Sequence, residues 1–243
     1  KKKTKKKKKK IATTVIAPEK GKIVNEKYLK ELKKISKKIG AILIFDEITS
    51  GFRMNVGGIH LLHNVNPDIA VFAKSTANGH PMGAIIGNEE TMQAAQESFI
   101  SSSFWTEGVG PAAAVATIKK MMRVDVVGHV DRIGQSMKDV WLKLGTQYKL
   151  PLTVDGHNAS CGFSLNHPKV RALETLFTVR MLKAGFLATP HITLTLAHEP
   201  YHVEAYAKAA EPIFYELATA IEKDDVESRI GGPIRHSGFQ RLT

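Results

Sequence analysis

Ala41-Ile42-Leu43-Ile44-Phe45-Asp46-Glu47-Ile48-Thr49-Ser50-Gly51-Phe52-Arg53 is the stretch from which the architecture can be read. Five apolar residues run without interruption and stop abruptly at two carboxylates. The run has the length of a strand, and its lack of polar alternation asks for burial on both faces, as in a parallel sheet covered by helices. Ile69–Ala73 repeats the pattern and ends on Lys74, and Gly83–Ile86 reads as a third strand flanked by glycines. Upstream, the β-branched Ile11–Ala17 reads as another strand, ended by Pro18. Asn25–Gly40 carries Tyr28, Leu29, Leu32, Ile35 and Ile39 at helical spacing, with Gly40 as the stop. Helices are expected over 89–98, 108–122 and 125–147. Alternating strands and helices predict an α/β layer architecture.

Around Leu150–Val154 the pattern changes. A strand near Gly162–Leu165, a helix over 169–184, a strand through 191–196 and a helix over 200–222 make a smaller α+β unit. The boundary is therefore expected near residue 150. Residues 11–150 form part of a large domain with a mostly parallel sheet, and 151–243 form a small C-terminal domain.

The 243 residues are 43% hydrophobic and 24% charged, a globular composition. The net charge of +12 invites a nucleic-acid reading, but residues 1–10 hold nine lysines and the rest of the chain 26 basic against 23 acidic residues. Such a block beside a near-neutral body reads as a flexible tail or an artefact of expression. No arginine or aromatic residue is interleaved to read bases, so specific nucleic-acid recognition is not expected. Salt-sensitive polyanion binding through the run stays as an alternative. The single cysteine, Cys161, rules out an internal disulfide framework and fits a reducing compartment, so a cytoplasmic protein is expected. No apolar run reaches the ~18 residues of a membrane helix, and no signal peptide is recognisable.

In open α/β sheets, ligands gather at the carboxyl ends of parallel strands. Asp46 and Lys74 each follow such a strand, which would bring a carboxylate and an amine to one edge. Many strands also end in a charged residue simply on reaching solvent, so the pair alone leaves both readings open. His60 and His63 lie close together without a set of ligating partners, and no metal is expected. His80, between Gly79 and Pro81, reads as a turn-shaping residue, and Cys161 as a small buried hydrophobe. No glycine-rich nucleotide fingerprint is present.

The Asp46 stretch resembles the cofactor-aspartate motif of the class III, fold-type I pyridoxal-5'-phosphate-dependent aminotransferases. Asn66-Pro67-Asp68-Ile69-Ala70-Val71-Phe72-Ala73-Lys74, continuing through Ser75-Thr76-Ala77-Asn78-Gly79-His80-Pro81-Met82-Gly83-Ala84, resembles the family's lysine motif. The 28-residue spacing from Asp46 to Lys74 also fits. Similarity extends to the Thr106 region, to Thr175-Leu176-Phe177, to Gly185-Phe186 and to Gly238-Phe239-Gln240-Arg241-Leu242. Within the family, the Gly51-Phe52-Arg53 form is most similar to the glutamate-1-semialdehyde 2,1-aminomutases and their aminotransferase relatives.

That resemblance implies amino-group transfer, as a transamination or a 1,2-shift, on a small amino acid or amino aldehyde. It implies that Lys74 carries the cofactor as an internal aldimine and then shuttles the α-proton. Asp46 would pair with the pyridine nitrogen, and Ile48 would lie against the ring, where core packing is its other reading. Thr106 would hydrogen-bond the cofactor phosphate, typically of the neighbouring subunit of a homodimer with shared sites; otherwise it caps the helix beginning near Gly108. Ser102 and Ser103 are supporting phosphate donors or loop residues. Glu47 would orient the surrounding loops or the substrate end of the site, or else form a salt bridge, and Arg53 would face the substrate entry or solvent. Relatives also carry an N-terminal segment that this sequence lacks. A non-catalytic or inactive fragment or homologue serving in interaction or assembly is therefore the first alternative, and polyanion binding the second.

Overall fold

The computed structural model describes residues 13–16, as backbone, and 26–236. The lysine run and the Gly238–Leu242 stretch lie outside the described residues. The chain divides into two compact units, Lys1–Val127 and Gly128–Thr243.

The first unit is built on a four-stranded sheet in the order β1 (Thr13–Ile16), β2 (Leu43–Asp46), β3 (Ile69–Phe72), β4 (Ala84–Gly87). β1, β2 and β3 are parallel and β4 is antiparallel to β3. The expected mostly parallel sheet is thus present. Helix α1 (Glu26–Ile39) makes the crossover from β1 to β2. It buries Leu29 and Ser36 and partly buries Leu32, an i, i+3, i+7 stripe that packs with Leu43, Phe45 and Val65. Tyr28, Ile35 and Ile39, expected on the same face, form a neighbouring stripe and remain exposed. Helical spacing admits two overlapping stripes, and the sheet contacts only one.

The expectation that β2 is buried on both faces is corrected in the same way. Leu43, Phe45, Ala70 and Phe72 point into the core, while Ile44, Ile69 and Val71 on the other face are half-buried and Ile85 and Ile86 of β4 are exposed. Opposite the end where Asp46 emerges, Asp68 ties the layers together. Its carboxylate accepts from the Leu43 amide at 2.7 Å, from Lys33 Nζ at 2.6 Å and from Asn88 Nδ2 at 3.2 Å. Burial raises its carboxyl, but these donors outweigh that and hold it below the ordinary aspartate value. Two further helices, α2 (Glu89–Gln96) and α3 (Val109–Arg123), complete this unit.

The second unit begins within the long helix α4 (Val126–Gln147), earlier than the expected boundary near residue 150. The reason lies in packing. Gly134 of α4 meets the turn between β5 (Leu152–His157) and β6 (Ser160–Leu165) so closely that a Cβ there would stand 2.0 Å from the Asn158 carbonyl oxygen. β7 (His191–Thr193) completes an antiparallel sheet in the order β5-β6-β7. β5 was not anticipated as a strand, because Asp155, Gly156 and His157 break its apolar pattern. Helices α5 (Val170–Lys183), α6 (Pro200–Glu222) and the short α7 (Val226–Ile230) finish the unit.

Its core is aromatic: Phe163 packs edge-on against Phe177 at a centroid distance of 5.1 Å and beside Trp141 at 5.5 Å and Phe214 at 5.4 Å. The buried Trp141 indole donates to the Tyr206 hydroxyl at 2.9 Å, so its polar atom is satisfied inside the core. Arg180 of α5 grips Glu216 of α6 through two 2.8 Å hydrogen bonds.

Candidate functional site

β2 and β3 are neighbouring parallel strands, with Asp46 in register with Val71. Asp46 closes β2, and Lys74 follows β3 after one intervening residue, Ala73. Both side chains therefore issue from the carboxyl edge of one sheet, as the sequence predicts. One oxygen of Asp46 accepts the Ile48 amide at 3.0 Å, which closes the first turn after the strand and orients the carboxylate. Its second oxygen accepts no hydrogen bond among the described residues. Lys74 has φ +49°, in the left-handed region that side-chain-bearing residues rarely adopt, and opens a 3₁₀ turn over Lys74–Thr76. Its side chain is exposed, and Nζ donates to Thr49 Oγ1 at 2.8 Å.

Thr49 is the residue that the sequence reading passed over. Thr49 and Lys74 each lie three residues beyond the paired Asp46 and Val71. Only the strand register, which the sequence does not display, reveals that they meet.

Glu47 turns the opposite way. It is fully buried and accepts from Ser50 Oγ at 2.5 Å, from the Ile59 and His60 amides at 3.0 and 3.1 Å, and from His60 Nδ1 at 3.0 Å. Burial pushes its carboxyl up, but hydrogen bonds from His60, Ser50 and the two amides more than offset this and hold it below the ordinary value. Glu47 thus orients the 48–60 segment from within. A hydrogen-bonded pairing with His60 is also part of that arrangement.

Arg53 folds back on the same turn, with Nε donating to the Thr49 carbonyl at 2.7 Å, and burial lowers its pKa from the ordinary value. Gly51 has no room for a side chain: a Cβ would stand 2.6 Å from the Phe72 ring and 2.8 Å from the Glu47 carbonyl oxygen. Ile48 is half-buried.

Ser102, Ser103 and Thr106 lie on an exposed segment before α3. No hydrogen bond among the described residues joins them to Asp46 or Lys74. The helix cap considered for Thr106 is supplied by Glu107, whose carboxylate accepts from the amides of Val109 at 2.7 Å and Gly110 at 3.3 Å. His80 shapes the turn after Lys74, its amide bonded to the Ala77 carbonyl at 3.3 Å. Cys161 is buried, and burial pushes its thiol up to about 11, which suits packing and not nucleophilic attack. Among the described residues, no cluster of three or more His, Cys, Asp or Glu could hold a metal, and no helix is long and apolar enough to cross a membrane.

The donor set suits pyridoxal phosphate: an amine for its aldehyde, a carboxylate for its ring nitrogen and an apolar β-branched neighbour.

The family profile described as Aminotransferase class-III matches residues 1–210. The chain is 32% identical over 146 residues to the 2'-deamino-2'-hydroxyneamine transaminase of Streptomyces kanamyceticus, covering 60% of this chain and 37% of that protein. It is 27% identical over 222 residues to a glutamate-1-semialdehyde 2,1-aminomutase of Clostridium botulinum, covering 82% of this chain and 52% of that one. The chain therefore spans about half the length, or less, of these relatives. Among solved structures, the FumI protein of Sphingopyxis sp. MTA144 in its PLP internal aldimine form superposes with a TM-score of 0.78 at 20% identity, over 86% of this chain and 53% of that one. That likeness shows a shared fold.

Proposed function

Because the chain belongs to the class-III aminotransferase family, we propose that it serves pyridoxal-phosphate-dependent amino-group transfer, with Lys74 as the cofactor lysine. The observation that carries this reading is the delivery of Asp46 and Lys74 to the same edge of the sheet from the adjacent parallel strands β2 and β3. When bound, the cofactor supplies an electron sink for the carbanion left when the substrate loses its α-proton. Asp46, oriented by the Ile48 amide, would pair with the ring nitrogen and keep its proton there. Lys74 Nζ would hold the cofactor and, as a free amine, would accept the α-proton and return it. Ile48, half-buried beside Asp46, would lie against the ring and keep water from it.

The substrate is a small amino acid or amino aldehyde, and the reaction is either a transamination or an intramolecular 1,2-shift. Resemblance to both kinds of relative supports that pair. The working enzyme is a homodimer, with Thr106 and neighbouring Ser102 and Ser103 reaching the phosphate of the partner's site. Phe99, Phe104 and Trp105, exposed beside Thr106, support a covered surface there. Arg53 faces the substrate entry in this reading, which its anchor on the Thr49 carbonyl, close to Lys74, supports. A cytoplasmic setting is supported by the single, buried cysteine.

The test is absorption of the purified protein with added pyridoxal phosphate, followed by borohydride reduction and mapping of the modified lysine. A band near ~410–430 nm fixed onto Lys74 is expected of a lysine-bound cofactor. Labelling of other lysines alone would overturn the assignment. No band from a folded protein would favour a non-catalytic role.

A further inference from the structure

Lysine side chains are long and mobile, and this chain has many. Something must distinguish Lys74 from the rest if it is to react selectively. Its left-handed backbone at φ +49° fixes the direction of departure, since Thr76 pins the turn by donating its amide and hydroxyl to the Ala73 carbonyl at 3.2 and 3.1 Å. The far end of the side chain is held by Thr49 Oγ1 at 2.8 Å.

Thr49 is itself rigidly carried. The turn that bears it is closed by the Gly51 amide on the Glu47 carbonyl at 2.8 Å and braced by Arg53 Nε on the Thr49 carbonyl at 2.7 Å. It is also locked to β3 by the contact of Gly51 with Phe72. The same turn orients Asp46. Amine and carboxylate are thereby referred to one piece of backbone.

The chemistry of the partner matters as much as its place. A hydroxyl oxygen accepts an N–H from an ammonium and from a neutral amine alike, so it holds Nζ in both states. A carboxylate at that position would favour the ammonium and silence the nucleophile, while an apolar side chain would release it. We propose that Thr49 is a positioning residue, whose hydroxyl holds Lys74 Nζ at the carboxyl edge of the sheet in both protonation states and sets it apart from the other lysines. The proposal rests on the reading of Lys74 as the cofactor lysine, and its test separates the two.

Competitive trace acylation of the full chain with acetic anhydride between pH 7 and 11, read lysine by lysine, reports Lys74 without any cofactor. Thr49→Asp is expected to slow acylation of Lys74 at pH 8 by about tenfold relative to the other lysines, because an adjacent carboxylate raises a lysine pKa by roughly one unit or more. In the borohydride experiment, Thr49→Val is expected to cut the share of pyridoxal phosphate fixed on Lys74 severalfold, and Thr49→Ser to keep it within about twofold of the parent. An acylation profile of Lys74 unchanged by Thr49→Asp overturns the proposal. So does equal fixation on Lys74 in the parent and in Thr49→Val, which leaves the cofactor reading standing. If Thr49→Asp shifts the profile but the parent fixes no cofactor on Lys74, the positioning holds and the cofactor reading falls.

Discussion

Two adjacent carboxylates, Asp46 and Glu47, have opposite environments because successive residues at the end of a strand face opposite sides. Asp46 keeps one oxygen without a partner among the described residues, whereas Glu47 is saturated by four donors in the core. Asp46→Asn should lower turnover of the cofactor-loaded protein ~10–150-fold, the rate equivalent of losing a charged hydrogen bond of ~1.5–3 kcal/mol. Steady-state rates with an amino donor would check this, and an unchanged rate would remove Asp46 from the site. Glu47→Ala strands the buried Ile59 amide and Ser50 hydroxyl and the part-buried His60 amide. At ~1–3 kcal/mol for a buried group left unsatisfied, urea unfolding should show a loss of at least about 2 kcal/mol. The pH dependence follows from the lowered carboxyl of Glu47. A depressed folded-state pKa gives stability that is fully present above the ordinary value of 4.5 and is lost as pH falls through the folded value. The stability gap between the parent and Glu47→Gln should therefore narrow on going from pH 6 toward pH 3. A gap that stayed constant would contradict the assignment.

Among the elements, α1 and α4 show how a helix finds its partner. Both were placed by spacing alone, and both span nearly the expected residues. Which stripe each buries was decided by the sheet it meets. In α4 the apolar positions Val130, Ile133, Met137 and Leu144 are buried, as helical spacing predicts. The glycines add two close contacts that apolar periodicity does not announce, Gly134 against Asn158 and Gly145 against Leu152. Gly134→Ala tests the first contact against helix propensity. Propensity alone predicts a gain of ~0.5–1 kcal/mol, whereas overpacking against the Asn158 carbonyl should cost ~1–3 kcal/mol. A lower thermal midpoint is expected, and a higher one would mean that the β5–β6 turn yields easily.

For the whole molecule, the exposed Phe99, Phe104 and Trp105 bear on assembly. If the proposed homodimer covers this segment, the double substitution Phe104→Ser, Trp105→Ser should raise the monomer fraction in sedimentation velocity, without loss of far-ultraviolet ellipticity. An association state indifferent to both changes would place the interface elsewhere. The class of fold and most of its elements were legible because unbroken apolar runs and helical spacing are local properties of the chain. The division of the units at Val127 was not, since it depends on which sheet α4 packs against.

The sequence by itself determined that a carboxylate and an amine end two successive buried strands, because strand length, apolar content and the charged stop are written in consecutive residues. It also carries, in the Asp46 and Lys74 stretches, the motifs that resemble the class III aminotransferase family. Only the tertiary structure decided that Thr49 meets Lys74, that Glu47 faces the core while Asp46 does not, and that Glu107, not Thr106, caps α3. Each of these depends on strand register or on the direction of a side chain after a turn. The first is set by strand register, through contacts between residues distant along the chain. Strand alternation separates Asp46 from Glu47, but only packing decides which of the two faces the core, and the cap is a contact of Glu107 two and three residues along the chain.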